Sequence, residues 1–371
     1  MQFSPHADQQ MVLDALRAVA DGQLKPAAAQ IDSQGQVPAA IVQHLRDLGA
    51  FGLLASEEAG GLGLDAVAAA QCWTLLGNAE AGTAQALAQH ALALKALESC
   101  AAAGQLAKTI QALAAGKKRA CFAAYDGDDH LDHAKLLACA GPREAGGWQV
   151  SGEKPWVLAA KGADVAVMLA ATEAGPAWFL VELAGLTLGD VGEQLGLRGA
   201  AAAIIALPDV PALLLAEGAE AVALTGQLLA WAGLLTAAVA MGAGRAALEA
   251  ASRYVQQREQ FGKPIATLQP VQWHIANACT QLDAAQMLVM KAAWNLSRGA
   301  KGLEGGAWRL AKVRATEAAM QAADSAIQLH GGYGYTKDFP VERLYRDSQV
   351  LALINGGAAA LKVQAARLLA A

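Results

Sequence analysis

Asn355 stands in the run Ile354-Asn-Gly356, after Gln328-Leu-His-Gly-Gly-Tyr-Gly-Tyr335 and Arg343-Leu-Tyr-Arg-Asp347. Its amide accepts and donates hydrogen bonds but is scarcely basic near neutral pH, so it cannot take a proton from carbon. Upstream lies Arg258-Glu-Gln-Phe-Gly-Lys-Pro264, followed by Gln269. An arginine at a helix end presents a fixed cationic fork to a pyrophosphate. In Gln328-Leu-His-Gly-Gly332, two adjacent glycines let a backbone approach the adenine and phosphates of a cofactor closely. Each motif has a bland counterpart when isolated: a surface arginine before a helix cap, or a glycine helix stop. Their order along one chain is what gives them weight.

Three blocks of contrasting texture must position these residues. Residues 1–117 read as helical, with apolar Met11, Leu13, Leu16 and Val19 at helical spacing and Gly49 stopping a second segment. Residues 118–215 carry short β-branched or aromatic runs bounded by Gly and Pro, which are strand signals. Those runs are Gly147 to Gly152, Ala163 to Leu169 and Ala177 to Glu182, and the strand region is expected to end near Pro211. Residues 216–371 return to long helical patterns: Thr225 to Gln257, Leu268 to Ser297, Gly306 to His330 and Ala358 to Leu369. Helices, then strands, then helices predict an α+β fold: an N-terminal helical domain, a middle β-barrel or sandwich domain and a C-terminal four-helix bundle.

The 371 residues are 55% hydrophobic and 16% charged, with a net charge of −5. This composition predicts a large buried core and sizeable apolar subunit contacts. The acidic balance and the lack of long basic runs argue against nucleic acid as a partner. Cys72, Cys100, Cys121, Cys139 and Cys279 are scattered and never form a CxxC pair, which suits reduced thiols in a cytoplasmic protein. The N-terminus has no signal-peptide pattern. Leu228 to Val239 is shorter than the roughly 20 residues of a membrane span, so no membrane role is expected.

In the order and spacing of its motifs the chain resembles the acyl-CoA dehydrogenase family along nearly its whole length. Leu48 to Asp65, with Gly60-Gly-Leu-Gly63, is similar to that family's helix-to-loop signature. The resemblance implies FAD as cofactor and an acyl-CoA thioester as substrate. It assigns Arg258, Gln269, Gln328, Gly331 and Gly332 to the FAD of a neighbouring subunit, Phe261 to packing near the cofactor and Gly262 to ending the helix. It places Trp156 beside the flavin ring, with core packing as an equal alternative. It reads Gly196-Leu-Arg-Gly-Ala200 as scaffold and Arg346–Asp347 as a structural salt bridge. His330, His90 and His274 are read as structural.

The departures from the family lie on the other side of the site. The position of Asn355 usually carries the glutamate base. The alternative base position on the preceding long helix falls near Ala232. The threonine that relatives use after it is absent from Gly356-Gly-Ala-Ala. The usual polar residues after Trp156 are Val157, Leu158 and Ala159 here. The family's Thr-Glu-Pro-type strap is replaced by Tyr125-Asp-Gly-Asp-Asp-His-Leu-Asp132. Its carboxylates would repel a pyrophosphate. They read either as a solvated loop over a vacated site or as a cation site, although the spacing of a calcium loop is missing.

Motifs serving the chain's own flavin are thus altered, and those serving a neighbour's are retained. This pattern implies a base-less subunit that completes the FAD site of an unlike acyl-CoA dehydrogenase subunit, with electron-transfer flavoprotein as acceptor. Two alternatives stand beside it: a self-sufficient homotetrameric flavoenzyme with altered chemistry, and a redox-silent CoA-ester-binding or scaffold protein.

Overall fold

The computed structural model describes residues 1, 3–100, 102–126 and 136–370. The N-terminal helices are α1 (Ala7–Val19), α2 (Lys25–Gln34), α3 (Ala39–Asp47), α4 (Ala66–Ala79), α5 (Ala81–Ser99) and α6 (Ala107–Ala114). A π-helical turn, Ala20–Leu24, joins α1 to α2. Strands follow as β1 (Ala120–Ala123), β2 (Cys139–Pro142), β3 (Trp148–Val157), β4 (Val165–Thr172), β5 (Gly175–Glu182), β6 (Leu188–Gly189) and β7 (Ala203–Ala216). The chain then returns to helix: α7 (Gly218–Gln257), α8 (Gln269–Ser297), α9 (Gly302–Gly305), α10 (Trp308–His330), α11 (Val341–Leu353) and α12 (Ala358–Ala370).

The strands close into a barrel. β4 pairs with β2, β2 with β3, β3 with β7, β7 with β5, and β5 back with β4. β1 runs parallel to β4, with Cys121 opposite Ala166. Closure leaves few free edges and places alternate residues such as Val150, Met168 and Phe179 inside. β7 continues through Pro211 to Ala216, beyond its expected end. Around Pro211 it changes partner: Pro211 faces Gln149 of β3, whereas Leu213 faces Leu180 of β5. A residue without an N–H is tolerated where a strand changes partner.

Helix α7 is the spine of the C-terminal bundle and packs on α10, α4, α5, α8 and α11. By length and composition it could cross a membrane, but 67% of its most apolar window is buried inside the protein. It is a core helix. Small residues set its closest approach: a Cβ on Gly242 would collide with the backbone of α4, and one on Gly77 with that of α7. The alanine and glycine richness therefore works as tight helix packing.

The cysteines are free thiols, and burial pushes Cys72 and Cys121 up to about 12, so both stay protonated. Among the described residues no cluster of His, Cys, Asp or Glu has metal-binding geometry. Asp128, Asp129, His130 and Asp132, which the cation reading needs, lie outside the described residues.

Candidate functional site

Two concavities gather the sequence-predicted residues. The first is a cavity of about 270 Å3 where α5, the ends of β1 and β3, and the α11–α12 turn converge. Its walls include Phe122, Tyr125, Trp156, Leu158, Gln89 and Asn355. Among the described residues none of its lining is a carboxylate.

Asn355 follows the C-terminus of α11 with φ +55°, a left-handed conformation that asparagine tolerates better than most side chains. It is buried, and its Nδ2 donates to Thr236 Oγ1 at 2.8 Å. Thr236 sits fully buried on α7, one turn beyond the equally buried Ala232. The buried ammonium of Lys312, from α10, donates to the carbonyls of Gly356 and Ala352. A cation there suits the negative end of α11. The two positions where a base is expected therefore hold an amide engaged with a hydroxyl and a methyl group packed in the core.

Trp156 is half-buried on the cavity wall, and Leu158 follows it as an apolar lining residue. Tyr125 lines the cavity as well, and burial raises its hydroxyl pKa. The next residue departs from the expected repulsion. Asp126 is buried in an ion pair with the fully buried Lys154 of β3 and also accepts the Leu137 N–H at 2.7 Å. Burial lowers the Lys154 pKa, and Asp126 opposes that shift. This carboxylate is structural and already neutralised.

The second concavity is a surface cleft of about 640 Å3, more than 20 residues further along α7. Arg258, Gln328, Gly331 and Gly332 line it together. Arg258 caps α7 immediately after Gln257 and is exposed. Gly331 caps α10 with φ 59° and ψ −137°, a region essentially reserved for glycine. A Cβ at Gly331 or Gly332 would meet nothing within 4 Å, so the bare backbone faces open space.

Several expected roles change. The glycine of the arginine motif does not end α7. Phe261 (φ +56°) and Gly262 (φ +78°) instead make the turn of a small hairpin between Glu259–Gln260 and Lys263–Pro264. Positive φ at both central residues is what such a hairpin requires. Phe261 is consequently 89% exposed, and neither it nor Gln269, the exposed first residue of α8, lines the cleft.

Arg346 and Asp347 form no salt bridge. Adjacent helical residues face about 100° apart, so Arg346 grips Asp32 (2.7 Å) and Glu342 (2.7 Å) while Asp347 turns inward. There it accepts the Leu197 N–H at 2.7 Å, and burial, with Glu80 nearby, pushes its carboxyl up to about 7.

His330 is buried, stacks on Tyr254 at 4.2 Å, and donates from Nδ1 to the Ala326 carbonyl at 2.7 Å. His90 is buried, accepts the Ala120 N–H and is held down to about 4, chiefly by burial. His274 differs: it is exposed and lines the cleft with Gln328. Thr236 escaped sequence reasoning, and His274 was read only as structural. The one signal for Thr236 was a lone hydroxyl in the apolar run Leu228 to Val239.

Residues 6–117 match the family model described as acyl-CoA dehydrogenase, N-terminal domain, and residues 221–369 match acyl-CoA dehydrogenase, C-terminal domain. The human short-chain specific acyl-CoA dehydrogenase, mitochondrial, is 31% identical over 358 residues, covering 94% of this chain and 86% of the relative. Acryloyl-CoA reductase (NADH) of Anaerotignum propionicum is 30% identical, covering 99% and 95%. Among solved structures, one described as the electron transferring flavoprotein of Acidaminococcus fermentans superposes with a TM-score of 0.93 at 26% identity, covering 100% and 99%. A variant of the Tcur3481-Tcur3483 steroid ACAD superposes at 0.85 with 25% identity, covering 98% of each chain. The chain belongs to the acyl-CoA dehydrogenase family, whose members are FAD-dependent oxidoreductases acting on acyl-CoA.

Proposed function

We propose that this chain is the base-less subunit of a hetero-oligomeric acyl-CoA dehydrogenase and completes the FAD site of an unlike partner subunit. One observation carries the reading. The residues that the family resemblance assigns to a cofactor stand exposed on the chain's own surface, whereas the cavity beside Asn355 is lined mostly by apolar side chains and, among the described residues, by no carboxylate.

The cleft suits the pyrophosphate and adenine of FAD. Arg258 would supply a cationic fork, Gln328 an amide, and Gly331–Gly332 a backbone that a ligand can approach without meeting a Cβ. Gln269, exposed at the start of α8, would reach the same neighbour from the cleft's edge. When bound, FAD supplies the acceptor for a hydride from the substrate's β carbon. In this reading the partner's site holds the base. This chain's residues bind and orient, and Asn355 moves no proton. The likeness to a steroid ACAD named for two chains supports an unlike partner, and the likeness to an electron-transferring flavoprotein structure supports such a protein as acceptor.

A self-sufficient homotetramer with altered chemistry is the second reading, favoured by the persistence of the cavity and of Trp156 on its wall. Purification alone and after co-expression with an unlike acyl-CoA dehydrogenase chain separates the two. The expected outcome is a flavin-poor, inactive chain alone and a flavin-loaded, active mixed complex with a fixed subunit ratio. Full FAD occupancy in the isolated chain supports the homotetramer instead. Asn355→Glu in the isolated chain is expected to create no dehydrogenase; if it does, the silent-site reading fails.

A further inference from the structure

A third concavity, of about 810 Å3, opens between the N-terminal helices and the barrel. It is separate from the two already described and shares no lining residue with them. Its charge is anomalous. Arg46, Lys117, Arg119, Lys161 and Arg198 line it, against the single carboxylate of Asp164. An excess of four positive charges is thus gathered in a chain whose net charge is −5.

These cations are not neutralised from within. Asp164 is engaged by the backbone N–H of Arg119, which it accepts at 2.7 Å. Of the five, and among the described residues, only Lys161 has a carboxylate within range, Asp190 at 3.7 Å. The half-buried Arg46 donates only to neutral acceptors, the Gly116 carbonyl at 2.9 Å and Gln43 Oε1 at 2.7 Å. Arg198, also half-buried, donates from Nε to the Gln194 carbonyl at 2.8 Å. Each guanidinium carries five N–H donors, so both retain unused ones.

Two further observations point to a ligand rather than to a solvated surface. The side-chain oxygen of Gln194, on the same wall, is buried with no partner. Rotation of that amide presents an N–H2 group instead. The arms are also seated on the backbone: the Arg119 guanidinium lies where a Cβ on Gly162 would be, and the Arg46 stem lies over Gly116. Both glycines have positive φ. Arg46 and Arg198 are half-buried, and like charges brought together in a concave space repel one another unless an anion lies between them. Planar guanidinium forks match phosphate oxygens in pairs.

We infer that this interdomain cleft binds a small molecule carrying two or more linked phosphates. Arg198, which the family resemblance treated as scaffold, is one of its anchors. Inorganic polyphosphate and the phosphate chain of a nucleotide share this chemistry, and separate arms of one experiment distinguish them.

Titration calorimetry of the full chain with tripolyphosphate and, separately, with ATP is the test, at about 50 and about 300 mM salt. The expected result is saturable binding that weakens with salt and falls about tenfold or more in the Arg46→Gln/Arg198→Gln variant. Equal affinity for the two probes means the phosphates alone are read; tighter ATP binding means the base is read as well. Should the arginine pair impair folding, the exposed pair Lys117→Gln/Lys161→Gln gives the same reading with a smaller loss. Arg258→Gln, in the other cleft, is expected to leave this binding unchanged. Absence of binding of both probes at millimolar concentration overturns the inference. So does binding that survives both double variants, or that disappears with Arg258→Gln.

Discussion

The cavity at Asn355 and the cleft at Arg258 are lined by different helices, though α7 and α10 back the first and line the second, and they differ in how their polar groups are held. The cavity is tied down by buried polar pairs: Asn355–Thr236, Asp126–Lys154, and Lys312 on the Gly356 carbonyl. The cleft is more open, and its polar groups stand in solvent, with Arg258, Gln328 and Gly331 exposed. Groups whose hydrogen bonds are already satisfied internally contribute to stability and have little left to offer a ligand. Groups left exposed contribute little to stability and are free to bind. On the proposed reading the two regions divide the work: one end holds the chain together and the other serves a neighbour.

This division predicts that substitutions on the cavity side move stability and leave cofactor affinity alone, while those in the cleft do the reverse. The largest effect is expected at Asp347. Its folded carboxyl holds a proton up to about pH 7, whereas the unfolded chain releases it near pH 4. Between those values the folded state binds more protons, so this group's contribution falls as pH rises, by up to about 4 kcal/mol. His90 works the other way. It is neutral in the fold down to about pH 4, so its contribution is lost as pH falls from about 6.5. The two slopes oppose each other in the native chain. In Asp347→Asn, denaturant titrations across this range should show the His90 slope unmasked, with stability rising from acid toward neutral pH. A profile as flat as the parent's would contradict the assignment.

Arg258→Gln is expected to act next most strongly, weakening FAD in the mixed complex about a hundredfold, or roughly 2.7 kcal/mol. Its thermal midpoint without flavin should not move. Flavin fluorescence titration checks the first statement and calorimetry the second. A large loss of stability in the apo chain would erase the contrast between the two regions. The smallest effect is expected for Thr236→Val. It leaves the Asn355 amide buried without its partner, at a cost of about 1–2 kcal/mol. FAD content of the mixed complex should stay unchanged, which absorbance per chain would verify.

The layout of helices, barrel and bundle was legible because each block has its own period and its own stops. That Arg258, Gln328, Gly331 and Gly332 stand at exposed helix ends was legible because their motif geometry is local: a helix end carries its own cap and its own donors. What stayed hidden depends on direction rather than type. Arg346 and Asp347 are neighbours in sequence, yet one faces Asp32 and the other the Leu197 N–H, and only the helix phase decides that. Thr236 meets Asn355 across 119 residues. Asp126 looked like one member of a repelling row until the buried Lys154 came to lie opposite it. Phe261 looked like a packing residue, but the hairpin turn lifts it into solvent.

Helix α7 joins the floor of the cavity to the wall of the cleft without interruption. From Thr236 to Arg258 the axis advances about 33 Å, roughly 22 residues at 1.5 Å each. On the proposed reading the helix acts as a gauge between this chain's own cavity and a neighbour's cofactor. Deleting one residue in that interval would shorten it by only about 1.5 Å but swing Arg258 about 100° around the axis, away from Gln328. Point substitutions at the exposed positions of the interval leave that spacing intact, while single-residue insertions and deletions should be purged from it. Reading frames of related subunits should thus preserve length here even where they have ceased to preserve chemistry.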